Sequence, residues 1–342
     1  MRAVVLAAVL LAGLASPAAA LAQPQPAAPV VRCTMTDPRL AELSGLVADG
    51  DRWYAVNDGG TAVTVFVLTK DCAIEREIVG SVDPYDVEDL GRGPDGTFWL
   101  SDTGDNDLDR KTVALISLTA DGAATLYRLT YPDGPHDTEA ILVDRAGTPY
   151  LVTKSTLGTA GVYRPAAELA SPGPTALEQV GTVRISATDT PGGPVPNIIG
   201  SVAITGGAMN ADGTVLALRT YTDAYVYAVA DGDVPAALTT APVRVPLPGE
   251  AQGEAIAFEP DGTLVSASEN TGQPIRAVPG AASLVAPPDP PEDTRAADKR
   301  PLGGTSGQSG GEDGLPALPA AAFTVVLVGG VFLFFRRRAR RR

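Results

Sequence analysis

A glutamate followed seven residues later by Asp-Gly recurs along the 342-residue chain, several strand-like segments follow each copy, and one strand near the start belongs to no copy. Together these predict an all-β fold, a five-bladed β-propeller of about residues 23–280, with one C-terminal transmembrane helix. Glu42 leads to Asp49-Gly50, Glu88 to Asp95-Gly96 and Glu254 to Asp261-Gly262; Glu139 leads to Ala146-Gly147, and Thr205 stands seven residues before Asp212-Gly213. Asp-Gly between two apolar runs is a hairpin signal, because both residues tolerate the positive φ that tight hairpin turns need. The copies lie 46, 51, 66 and 49 residues apart, near the period of a propeller blade.

Each period holds further strand-like segments: 61–68 and 74–82 after the first hairpin, Val113–Leu118 and 124–129 after the second, 224–230 and Val243–Pro246 after the fourth. The last copy supplies three, Gly253–Phe258, 263–268 and 275–278. Residues 30–35 precede the first copy and are the expected fourth strand, closing the ring by pairing the two ends of the domain. Cys33 lies on that strand and Cys72 in the first blade, and the two are expected to form a disulfide across the closure; two free buried thiols are the alternative. A six-bladed ring, with a divergent blade inside 139–205, is the alternative architecture.

Outside the ring, 1–22 reads as a signal peptide: a charged start, an apolar run and the small-residue site Ala20-Leu21-Ala22. Residues 281–314 are rich in Pro, Gly and Ser and read as a disordered tether. Residues 315–335 are uncharged and long enough to span a bilayer, and the arginines of 336–342 place that end in the cytoplasm. Sortase-anchored surface proteins share this layout, but 315–319 lacks the Thr-Gly of their sorting motif, so the span reads as a retained anchor. The expected location is a bacterial cell membrane, single-pass, with the N-terminal domain outside.

The formal charge of −14 conceals an asymmetry. Seven of the 26 basic residues are Arg2 and the arginines of 336–342, which leaves 19 against 40 acidic residues between them. A domain that negative excludes nucleic acid as a partner and favours cations or cationic partners. The expected partner is an unidentified ligand or a cell-surface protein.

Strand starts and the ends of the next strands meet at one face of a propeller. That face is predicted to gather Glu42, Glu88, Glu139 and Glu254, the candidate metal ligands, with Asp86 and Asp137 two residues before their glutamates. From the strand exits come Asn57, Asp58, Asp102, Asp105, Asn106, Lys154, Arg219 and Glu269, with Arg110 nearby. Asp102, Asp105, Asn106, Arg110, Lys154, Arg219 and Glu269 are the ligand-binding candidates. Converging carboxylates repel unless neutralised, by a hard cation such as Ca²⁺ or by Lys154 and Arg219. A purely structural role, capping strands and packing the channel, stays open. Asp105-x-Asp107-x-Asp109 departs from a calcium-binding EF-hand loop at Arg110 and Ile116 and reads as a solvated acidic loop. His136 is the single histidine and reads as a loop residue without a role; no serine-protease elbow, zinc-protease motif or phosphate loop occurs, and catalytic residues are not identifiable.

The segments Glu42-Leu-Ser-Gly-Leu46, Asp86-Val-Glu-Asp-Leu90, Asp102-Thr-Gly-Asp-Asn106, Tyr131-Pro-Asp-Gly-Pro135, Asp137-Thr-Glu-Ala140, Leu218-Arg-Thr-Tyr-Thr-Asp-Ala-Tyr225 and Gln252-Gly-Glu-Ala255 resemble, over about 33–280, exported bacterial propellers of the "esterase-like activity of phytase" group and related WD-repeat-like proteins. The resemblance implies a propeller and, by analogy with propeller phytases, calcium at an acidic mouth with phosphate groups on Lys154 and Arg219. A calcium-dependent phosphoesterase and a structural cell-envelope protein are the alternatives to a binding module.

Overall fold

The computed structural model describes residues 25–285. The expected signal peptide (1–22), the expected tether beyond 285, the expected span over 315–335 and the arginine tail lie outside the described residues. Among the described residues no helix is long and apolar enough to cross a membrane.

Among the described residues β1 (Val30–Thr34) comes first, followed by successive antiparallel meanders. The first is β2 (Leu43–Ala48), β3 (Trp53–Asn57), β4 (Thr64–Leu68) and β5 (Ile74–Val79). The second is β6 (Val87–Arg92), β7 (Phe98–Asp102), β8 (Val113–Leu118) and β9 (Ala124–Thr130). The third is β10 (Thr138–Val143), β11 (Pro149–Thr153), β12 (Thr159–Pro165) and β13 (Thr175–Arg184). The fourth is β14 (Ile204–Met209), β15 (Val215–Thr220), β16 (Asp223–Ala228) and β17 (Val243–Pro246). The last is β18 (Gly253–Phe258), β19 (Leu264–Ser268) and β20 (Pro274–Val278). β1 pairs antiparallel with β20 and completes this sheet, so the first described strand closes the last meander.

The arrangement is propeller-like. The first strands of the meanders touch in cyclic order: β2 with β6, β6 with β10, β10 with β14, β14 with β18, and β18 with β2. The apolar core is divided the same way, into clusters that each sit between two neighbouring sheets. One joins Val113, Leu115 and Leu129 to Ile141, Leu151 and Tyr163; another joins Leu43, Leu46 and Trp53 to Ala255, Ala267 and Ile275. Sheets pack face to face here because their inner strands are apolar on both sides, which only stacking between two neighbours can bury.

The long 139–205 interval is occupied by β10 to β13 and a crossover over 185–203 that carries a short helix, α1 (Asn197–Gly200). The outer edges of the second and third sheets also join, through a short parallel pairing of β13 with β9. The disulfide between Cys33 and Cys72 is formed, with Cα atoms 5.8 Å apart, and ties the closing strand to the turn after β4. Residues 281–285, placed in the tether by composition, instead finish the domain. Ala281 is buried, and Leu284 and Val285 pack against the last sheets.

Candidate functional site

Every first strand carries a β-bulge near its start. The register slips between Leu43 and Gly45, Val87 and Asp89, Thr138 and Ala140, Ile204 and Gly206, and Gly253 and Ala255. The residues left without a cross-strand partner are Ser44, Glu88, Glu139, Thr205 and Glu254. A bulge re-aims the side chain it carries, and this repeated one sets three glutamates around the axis at one end of the ring.

The equivalence inferred from Asp-Gly spacing therefore holds for four sheets and fails for the first. Glu42 is exposed and does not line the cavity; Ser44 holds the bulge position. The reason lies in the turn. Asp-Gly occupies the third and fourth loop positions in Gly93-Pro-Asp-Gly-Thr97 and Glu259-Pro-Asp-Gly-Thr263, but the first and second in Asp49-Gly-Asp-Arg52, so counting back from it overshoots by two. The hydroxyls at this position are structural. Ser44 Oγ donates to the Glu88 carbonyl at 2.6 Å, and Thr205 Oγ1 to the Gly253 carbonyl at 2.8 Å.

The cavity at this mouth is about 560 Å³ in volume. Nine carboxylates line it (Asp58, Asp86, Glu88, Asp105, Asp107, Asp109, Glu139, Glu254 and Glu269), with Asn106, Gln252 and a single cation, Lys154. Oxygens of two of these, Glu88 and Glu139, and of Asp137 all lie within 4.8 Å of one another. Gly104 presses against this group, and a Cβ there would lie 2.1 Å from Glu88 Oε1 and 2.5 Å from Asp86 Oδ2.

Lys154 Nζ donates to Glu139 Oε1 in a buried ion pair and stands 5.4 Å from the centre of the buried Tyr221 ring. Burial pushes the Glu88 carboxyl well above the ordinary range, and Asp86, Glu139 and Asp137 push it further; Lys154 acts against them. Burial likewise raises Asp137 and Glu139, with Lys154 the main opposing influence on each. Burial disfavours the charge on Lys154, yet Glu139, Asp137 and Glu254 hold its pKa well above the usual value. One ammonium is shared among several carboxylates.

Arg219 is not part of the mouth. It pairs across from Gly206, the register position held by Val56, Ser101, Val152 and Ala267 in the other sheets, and its side chain is 0% exposed. Nη2 meets Glu250 Oε2 at 2.6 Å and Nη1 donates to the Ala255 carbonyl at 2.9 Å, which makes it an inter-sheet strut. The residue equivalent to Lys154, one past the strand end, is Tyr221.

Asp102 and Arg110 support the mouth from behind. Asp102 accepts the backbone N–H groups of Tyr85 and Asp86 and pairs with Arg110 at 3.0 Å, while Arg110 Nη1 also donates to the Gly104 carbonyl. Asp105 lines the cavity, but its carboxylate accepts the N–H groups of Asp109 and Arg110 and so closes its own loop. His136 lies away from the cavity, hydrogen-bonded to Asp133 at 3.0 Å and Tyr163 at 3.1 Å.

Asp89 gave no separate signal in the sequence and turns out to hold the axis. Its neighbours in register are Gly45, Ala140, Gly206 and Ala255, all small. Its fully buried carboxylate accepts from Leu90 N at 2.8 Å and from Ile141 N and Gly207 N at 2.9 Å each, joining three sheets. Burial raises its pKa well above the usual range. Only its place at a position that is small in every other repeat could have marked it.

No family model matches the chain, so the family resemblance rests on the motifs themselves, and no curated protein matches it. Among solved structures, the PQQ-bound aldose sugar dehydrogenase of Streptomyces coelicolor is similar at 12% identity and TM-score 0.41, covering 75% of this chain and 99% of that one. The β-propeller domain of Myceliophteria thermophila Cps50 is similar at 11% identity and TM-score 0.39, covering 73% and 99%. A streptogramin B lyase is similar at 12% identity and TM-score 0.34, covering 70% of this chain and 65% of that one. At these TM-scores the likenesses carry no argument about function, and the propeller-like assignment stands on the sheet topology described above.

Proposed function

We propose that the chain is a five-bladed propeller serving as a binding module, anchored outside a bacterial membrane by 315–335, and that its mouth receives a cation. The observation that carries this is the group Glu88, Asp137 and Glu139, with oxygens mutually within 4.8 Å, two of whose members line a cavity with nine carboxylates and one lysine. All the donors are oxygens, which suits a hard divalent ion such as Ca²⁺. Such an ion would also offset the burial, and the mutual repulsion added to it, that raise these carboxyls. Five four-stranded groups in cyclic contact support the blade count, and the composition of 281–342 supports the anchor.

The phosphoesterase alternative is less favoured. With Arg219 committed to Glu250, a phosphate group entering the cavity would meet Lys154 among nine carboxylates. The deciding experiment is calorimetric titration of the chelator-treated protein with Ca²⁺. Heat of binding that disappears in Glu88→Gln and in Glu139→Gln is the expected result. No binding in the unsubstituted protein sinks the metal reading, and leaves Lys154 as the internal counter-ion.

A further inference from the structure

Seven large apolar side chains are exposed among the described residues, and they are not scattered evenly. Val30 and Val31 lie on β1 and Val79 on β5, both outermost strands. The other four, Tyr85 (68% exposed), Leu108 (54%), Leu157 (84%) and Ile198 (66%), occupy connections at the mouth end of the ring. Tyr85 precedes β6 and itself lines the cavity; Leu108 sits in the loop whose Asp105, Asn106, Asp107 and Asp109 line it. Leu157 lies in the β11–β12 turn just past Lys154, and Ile198 in the crossover that feeds β14. Arg110 stacks on the Tyr85 ring at 4.6 Å.

A second cavity, about 550 Å³, opens at the opposite end among Leu90, Ile141, Met209 and Phe258, with Arg92, Arg145, Asp49 and Asp144 at its edge. Its rim carries none of the exposed apolar side chains. Cavity size alone does not explain where they collect. A solvated metal ion gains nothing from an apolar rim. A protein interface does, because apolar anchors around a desolvated charged pocket are where binding energy concentrates.

We infer that the mouth face docks a polypeptide that inserts a lysine or arginine side chain into the acidic cavity and packs its flanking apolar residues on Tyr85, Leu108, Leu157 and Ile198. The inference rests on the reading of the mouth as a cation-binding site and names the bearer of the charge. Charge complementarity selects the partner: nine carboxylates against one lysine attract a cationic side chain and repel an anionic lipid surface. The apolar rim selects a polypeptide over a bare ion.

The test is selection of random phage-displayed peptides on the intact protein, followed by binding measurements with the synthetic winners. Enriched peptides should carry a lysine or arginine flanked by apolar residues, and lysine-to-norleucine peptides should bind about tenfold more weakly or worse. Leu157→Ser and Ile198→Ser, both highly exposed and so harmless to folding, should each lower peptide affinity by a similar factor. No enrichment, winners without a basic residue, or affinities indifferent to these substitutions would overturn the inference. So would Leu157-dependent binding to phosphatidylglycerol vesicles, which would assign the rim to lipid. Calcium titration separates the two readings: calcium binding without peptides refutes this inference alone, and peptide binding without calcium refutes the metal reading alone.

Discussion

Lys154 is the residue on which the mouth depends electrostatically. It is the one cation among the carboxylates that line the cavity, and its ion pair with Glu139 is buried. Lys154→Met should destabilise by roughly 3–5 kcal/mol, the cost of stranding buried charge, and Ca²⁺ should restore much of the loss in a thermal melt. The pH dependence follows from the same group. Glu88, Asp137 and Glu139 have raised pKa values in the folded state, so the native protein holds protons there that the unfolded chain releases. Their contribution to stability is full below the ordinary carboxylate values of 3.8 to 4.5 and is lost as pH rises through the raised values. The melting temperature should fall from about pH 5 towards neutrality, and saturating Ca²⁺ should flatten the fall. A melting temperature that rises over that window would show that other groups dominate. Glu88, Glu139 and Lys154 were legible as residues of one face because repeats expose the position each occupies. Ser44 was not, because a two-residue shift of Asp-Gly within its turn leaves no trace in composition.

At the scale of elements, the bulge at the start of each first strand aims the glutamates, and glycines make room for what lies behind it. A Cβ on Gly253 would stand 1.7 Å from Arg219 Nη2 and 2.6 Å from Glu250 Oε2. Gly253→Ala should break the Arg219–Glu250 strut and cost about 3 kcal/mol or more, read as a lowered denaturation midpoint. An unchanged midpoint would show that the strut does not join the last two sheets as described. The strands themselves were legible from alternating apolar runs and turn residues, with edges shifting by a few positions, as in 61–68 against Thr64–Leu68. Arg219 was misplaced at this scale. A strand-exit arginine and a strand-interior arginine differ by two residues, and only the register with β14 shows which one it is.

For the molecule as a whole, closure is the weak point of a ring, since β1 is held to β20 by a few ladder bonds and its outward side chains are exposed. The Cys33–Cys72 bridge spans 39 residues of sequence. Replacing both cysteines with serine should cost about 4 kcal/mol on the chain-entropy account. Amides of β1 should then exchange with solvent faster than those of β18. Uniform acceleration across the ring would place the effect elsewhere.

The sequence by itself determined the ring. A repeated turn signal, repeated strands and one orphan strand leave a chain little choice but cyclic stacking, because each sheet has two apolar faces to bury. It also determined which residues could be acidic neighbours, since a repeat sends equivalent positions to one place. Only the tertiary structure decided which carboxylates meet. That depends on bulges, on a turn that shifts Asp-Gly by two places, and on Arg219 lying between sheets rather than in the channel. Side-chain direction in a strand alternates with every residue, so small offsets that composition does not record move a charge from the axis to the solvent or the core.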